Sequence, residues 1–364
     1  MLNVPSSPSL GFLGIAALAM LGALLLGTAF TQNKPPAPDS ASGKSGKVLG
    51  LAFDTVQVSN LKKSIDFYQS LGFTLKSETN PPWTSDEAAN RLYRTPGAAF
   101  RTVTLTIPKA SGQAFTLYLQ EFKNAERSGR IDFPARDPSS PHIGLLEPEA
   151  DALWAKLKAA GMLRALSWDE KLVRMPGQAS GGIAYVRDPD GFNIEIVGIN
   201  MPSAGAGSPV KPADATLHHL GLAVLNSDKS KAFYGGLLGA QFPKEMPEWL
   251  SGDMYDAAVG GHGYVIRLIN GTYPEAVTPQ TPSRFELCEY KNPTRTNIPD
   301  YRYCDVAVNC VGFQVEGIDA LYSRLKESGV KTWSEGGIVR LKDGARALIV
   351  KDPDVGAFVE LFEK

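Results

Sequence analysis

The chain has 364 residues, 43% of them hydrophobic and 21% charged, with 37 Lys and Arg against 38 Asp and Glu. That composition excludes a wholly disordered, collagen-like or multi-span membrane protein. A formal charge of -1 gives no electrostatic footprint for nucleic acid, so no nucleic-acid partner is expected. Imidazole chemistry must draw on His142, His218, His219 and His262. The three cysteines, Cys288, Cys304 and Cys310, follow no C-x-x-C spacing, which disfavours a structural zinc site. A disulfide between two of them stays open for an exported chain.

In chain order, residues 10–30 (LGFLGIAALAMLGALLLGTAF) form an uncharged apolar run long enough to span a bilayer as a helix. Gly27 and Ala29 have the small-residue spacing of a cleavage site, yet no Lys or Arg precedes the run. Residues 1–30 are therefore expected to be a signal peptide or a membrane anchor. Residues 31–46 follow as a flexible linker, and the protein is expected to be exported, periplasmic or membrane-anchored. The GKS of that linker is not a phosphate loop, because Pro38 stands where the leading glycine belongs and no strand precedes it.

The remainder divides into residues 47–200 and 215–364, separated by a second low-complexity linker, 201–214. The halves repeat one another. NLKKSIDFYQSLGF (60–73) parallels NSDKSKAFYGGLLGAQF (226–242), DALWAKLKAAG (151–161) parallels DALYSRLKESG (319–329), and each half closes on an Asp-Pro-Asp turn, at 188 and 352. Each half holds two helical signals, each preceded by one strand pattern and followed by others, so the chain reads as four strand-helix-strand-strand-strand units. Leu61, Ile65, Tyr68, Leu153, Leu157, Leu321 and Leu325 are the apolar stripes of these helices and are expected to pack in the core.

These motifs resemble the vicinal-oxygen-chelate superfamily, which includes glyoxalase I, methylmalonyl-CoA epimerase, extradiol dioxygenases and the fosfomycin and bleomycin resistance proteins. The resemblance covers 47–364. It rests on Val58, Asn60, Ser64, Phe67 and Tyr68, on Val224, Asn226, Ser230, Phe233 and Tyr234, and on Asp188 to Glu195. It implies an α+β fold of four βαβββ modules, forming two tandem glyoxalase-like domains with curved, partly open mixed sheets. It also implies metal ligands on the first and last strand of a module. Those positions fall on Phe53 and Tyr118 in module one, His142 and Glu195 in module two, His219 and Glu286 in module three, and Cys310 and Glu360 in module four.

Strand alternation supports these assignments independently. His219 shares a face with Gly221 and Ala223, His142 with Gly144, and Glu195 with Asn193, each opposite a row of large apolar residues. Glu289 rivals Glu286 but points to the other face. His218 must face away from His219 and is expected to support it or to pack, whereas His262 in GGHGY is expected in a turn. DPDVGAFVE carries one residue more than the family pattern, which places Glu360 in doubt as a ligand because a bulge would re-aim it.

Crossed pairing of modules two and three unites His142, Glu195, His219 and Glu286. It leaves Phe53, Tyr118, Cys310 and Glu360 as a companion set without activity. Pairing within the second half would instead use His219, Glu286 and Glu360. The crossed set suits one divalent ion, Zn, Ni, Mn or Fe. Such an ion would act as a Lewis acid while a C–H beside two substrate oxygens loses its proton, with Glu195 as base and Glu286 opposite. The leading expectation is a metal-dependent lyase or isomerase of glyoxalase type acting on a small molecule, for which a monomer suffices. Export counts against a glutathione adduct as substrate. The alternatives are an Fe(II) extradiol-type dioxygenase and a metal-free binding protein of bleomycin-resistance type, whose cleft would draw on Trp83 and Trp249.

Overall fold

The computed structural model describes residues 46–109, 113–129, 133–174, 180–199, 214–273, 283–292 and 300–364. The expected signal or anchor 1–30, the linker 31–46 except residue 46, and the linker 201–214 except residue 214 lie outside them. Among the described residues no helix is long and apolar enough to cross a membrane.

Module one comprises β1 (Lys47–Val58), α1 (Leu61–Ser70), β2 (Thr74–Leu75), α2 (Glu87–Tyr93), β3 (Ala99–Pro108) and β4 (Ala114–Lys123). Module two follows with β5 (Pro141–Leu146), α3 (Ala150–Ala159), β6 (Gly181–Arg187) and β7 (Asn193–Ile199). Module three holds β8 (Thr216–Val224), α4 (Ser227–Lys231), β9 (Leu250–Ser251), α5 (Asp253–Val259), β10 (Val265–Tyr273) and β11 (Ser283–Asn292). Module four holds β12 (Asn309–Glu316), α6 (Ile318–Glu327), β13 (Val339–Arg340), β14 (Arg346–Lys351) and β15 (Phe358–Glu363). The second strand of each unit is reduced to two residues or to isolated bridges.

These strands form two sheets. The eight-stranded sheet runs β13-β14-β15-β12-β1-β4-β3-β2 and joins modules four and one. The seven-stranded sheet runs β6-β7-β5-β8-β11-β10-β9 and joins modules two and three. The pairing is thus crossed, with first strands antiparallel at each centre: β1 against β12 and β5 against β8. Both sheets are mixed. They curl so far that α2, which leaves one edge of its sheet, packs against β13 and β14 at the other, and α5 likewise reaches β6. One apolar cluster, including Val56, Leu117, Ile143, Ile194, Leu222, Leu287 and Leu361, draws on both sheets together with α1, α3 and α6.

The family motifs act as fasteners. Asn60 and Asn226 are helix N-caps, their side chains accepting from the amides of Lys63 and Lys229. Asp188 closes its turn by accepting from the amides of Asp190, Gly191 and Phe192. Asp190 accepts from the Ser59 amide, and Asp354 from the amides of Leu225 and Asn226. Each Asp-Pro-Asp turn, carried by one sheet, thereby clamps a helix start that belongs to the other. In module three the motif helix carries one extra residue before its terminal glycine, and the chain absorbs it as a π-turn over Ala232–Leu237.

Candidate metal centre

Four neighbouring strands, β7, β5, β8 and β11, each supply one of the expected donors: Glu195, His142, His219 and Glu286. Cross-strand register arranges them in two rows. Gly144 lies between Glu195 and His219, and Gly221 between His142 and Glu286. Those glycines permit the convergence. A Cβ on Gly144 would stand 2.3 Å from the His219 ring, and one on Gly221 would stand 2.0 Å from the His142 ring. The His-x-Gly spacing of HIG and HLG was the sequence signal for them.

One donor atom from each residue lies within 4.8 Å of all the others. The Nε2 atoms of His142 and His219 are 2.9 Å apart, and Glu195 Oε2 is 3.1 Å from His219 Nε2 and 3.8 Å from His142 Nε2. Glu286 Oε2 is 3.9 Å from His142 Nε2 and 3.7 Å from His219 Nε2. Donors around one ion with bonds of about 2.1 Å sit roughly 3 to 4 Å from one another, so the set fits a single first-row divalent ion. The chemistry fits as well: two imidazoles and two carboxylates are common donors to such an ion, and the two carboxylates match a double positive charge.

Electrostatics within the cluster are strained. Burial, then the neighbouring His219, pushes His142 down to about 3. Burial also works against a protonated His219, but Glu286 and Glu195 together hold it above its ordinary value. Burial raises Glu286, and the Glu195 charge adds to this. His142, His219 and Glu286 are buried; the Glu195 side chain retains 12% exposure, the most of the four.

His218 contacts His219 as a supporting residue would, but it does not face away from it as expected. The β5–β8 register slips between Gly144 and Leu145, so two residues of β8 oppose one of β5. This irregularity turns His218 toward its neighbour, with Nδ1 2.8 Å from His219 Nδ1, and Arg284 Nη1 lies 3.1 Å from its Nε2. Support of a candidate ligand is the usual task of such a partner. Glu289 lies on the other face, where it pairs with Arg267 and accepts from the Ser227 hydroxyl. His262 sits in a bend and stacks on Trp168 at 4.6 Å.

Trp83 and Trp249 must be reassigned. Trp249 lies over Arg267 and Trp83 over Arg101, 4.5 and 4.6 Å from guanidinium to ring. Alternation puts these arginines opposite Ile266 and Phe100, so neither tryptophan lines the inner face. The residues found there instead, which the sequence reading missed, are Tyr185, Cys288 and Tyr290. Tyr185 meets His142 edge-on at 5.3 Å, and Cys288 and Tyr290 share the face of Glu286 on β11.

The companion set gathers at the matching place in the other sheet. Phe53, Gly312 and Glu360 form one row, and Cys310, Thr55 and Tyr118 the other. Phe53 occupies the imidazole's place, packing on Gly312 and meeting Tyr118 edge-on at 5.1 Å. Glu360 keeps the register of Glu195 because the turn takes up the extra residue: the Asp352 amide reaches Ala357, where that of Asp188 reaches Phe192. All three cysteines are buried and free.

Comparison with known proteins agrees with this architecture. The family profile described as Glyoxalase/Bleomycin resistance protein/Dioxygenase superfamily matches twice, over residues 50–196 and 216–361. Among solved structures, a mutant of glyoxalase I from Zea mays is 16% identical with a TM-score of 0.52, covering 88% of this chain and 94% of its own. A second mutant of the same protein is 18% identical with a TM-score of 0.51, covering 88% and 92%. At these identities the likeness concerns the fold. No curated protein matches.

Proposed function

Given that the chain belongs to the Glyoxalase/Bleomycin resistance protein/Dioxygenase superfamily, we propose that it is a divalent-metal-dependent lyase or isomerase acting on a small molecule with adjacent oxygens. His142, Glu195, His219 and Glu286 would be the ligands. The convergence of these four donors, one atom of each within 4.8 Å of all the others, is the observation that carries this reading. A bound divalent ion would supply Lewis acidity toward the two substrate oxygens.

This chain's own residues do the rest. Glu195 has the most exposed side chain of the four, so it takes the proton from the carbon beside those oxygens and returns it to the neighbouring carbon. Glu286 stays in place on the opposite side. The buried surroundings keep bulk water from competing for the proton. Residues 10–30 support an exported or anchored location, and one chain holds both members of each central strand pair, so a monomer suffices.

The test is metal content of the purified protein, followed by exchange of carbon-bound hydrogen with solvent deuterium in a hydroxy-carbonyl probe. Glu195→Gln should keep the ion and lose the exchange; unchanged exchange removes its role as base. Two imidazoles and one carboxylate also suffice for ferrous oxygenase chemistry. Oxygen uptake with a catechol, dependent on ferrous iron, would replace the lyase reading.

A further inference from the structure

Cys288 lies two residues beyond Glu286 on β11 and projects from the same face. It is 2% exposed, and its thiol donates to Glu286 Oε2 at 3.3 Å. The rest of its surroundings, Ala223, Tyr264, Ile266 and Tyr290, form an apolar cluster, which leaves the carboxylate as the thiol's acceptor. The two candidate carboxylates are therefore held differently, Glu286 by the Cys288 S–H and Glu195 against the imidazole of His219, 3.1 Å from Nε2.

The duplicate half supplies a contrast. In the parallel pairs, Cys288 stands beside Ala223 as Gln120 stands beside Gln57. Where Tyr118 replaces the glutamate, the thiol is replaced as well, and the Gln120 amide turns to the Thr102 hydroxyl at 3.1 Å. Glutamate and thiol are present together at these two positions of β11, and both are absent at the matching positions of β4.

We propose that Cys288 is a positioning residue for Glu286: its thiol fixes that carboxylate as the permanent ligand and so leaves Glu195 as the one that moves. The inference rests on the metal reading above. A thiol suits the task because it is a weak donor, strong enough to orient a carboxylate and too weak to draw it from an ion.

Competition titration with Zn(II) in a double-mutant cycle tests this. Cys288→Ala should weaken binding at least about tenfold in the wild-type and Glu195→Gln backgrounds, and less than about twofold in Glu286→Ala. Cys288→Ser, which restores a donor, should recover most of the loss, and thermal melting of each apoprotein controls for misfolding. Equal losses in all three backgrounds, or none in any, would overturn the proposal. So would a sulfur-to-metal charge-transfer band in the Co(II) form, which would make Cys288 itself a ligand. If wild-type protein takes up no ion, the metal reading falls and this inference with it; binding indifferent to Cys288→Ala removes the inference alone.

Discussion

The two sheets share one scaffold and differ in what their inner faces hold. Of the six positions in the two donor rows four differ: His219, His142, Glu286 and Gly221 correspond to Phe53, Cys310, Tyr118 and Thr55. Gly312 and Glu360 persist where Gly144 and Glu195 stand. The places of two of the four candidate donors are thus taken by aromatic rings in the other sheet. The helices that close the two faces differ in the same sense. Around α2, Asp86 caps the helix and pairs with Lys342 at 2.6 Å, Arg91 reaches the Glu335 carbonyl, and Trp333 donates to the Tyr93 carbonyl. Around α5, Gly252 and Gly260 flank the helix at φ 121° and 72°, and the Trp168–His262 stack spans to module two. The filled face is bolted by side chains from module four, and the face with the donors is closed by a helix that starts and stops on glycines, with Asp256 accepting from the amides of Gly263 and Tyr264.

The contrast can be broken most severely at the donors. His142→Ala or His219→Ala should reduce metal uptake to background, measured by elemental analysis, while Cys310→Ala leaves it unchanged; the reverse pattern would move the centre to the other sheet. Gly144→Ala should approach the same loss, since its Cβ would overlap the His219 ring.

A smaller effect is expected from Glu360. Burial raises this carboxyl from 4.5 to about 7. A raised folded-state value means that its stabilisation is complete below pH 4.5 and is lost as pH rises through about 7. Glu360→Gln should therefore remove on the order of 3 kcal/mol from the difference between acid and neutral stability, read by denaturant unfolding across pH. An unaltered pH profile would show that the carboxyl is solvated.

The mildest test concerns the closing helices. Amide hydrogen exchange in α5 should exceed that in α2 by about tenfold, and equal protection would remove the distinction between them.

Much of this was legible in the sequence. Asn60, Asn226 and the Asp-Pro-Asp turns mark helix starts and clamps because capping and turn closure need those side chains at those positions. The family resemblance picked out His142, His219, Glu195 and Glu286, and alternation set the first three opposite rows of large apolar residues. Longer-range effects were not legible. Helices α2 and α5 are seven residues each, too short for a periodic signal. A register slip that forms only when β5 meets β8 decides the direction of His218. Trp83 and Trp249 looked like cleft aromatics because nothing local shows that Arg101 and Arg267 will lie beneath them. The extra residue near Glu360 was visible, but whether turn or strand absorbs it depends on pairing with β12.

The crossed pairing has a consequence for how such a molecule can change. In an assembly of two identical halves, every substitution is made twice and must be tolerated at both interfaces. Joined in one polypeptide, the halves answer to separate codons. Phe53 can arise without displacing His219, and one face can drift toward plain stability while its counterpart keeps its polar residues.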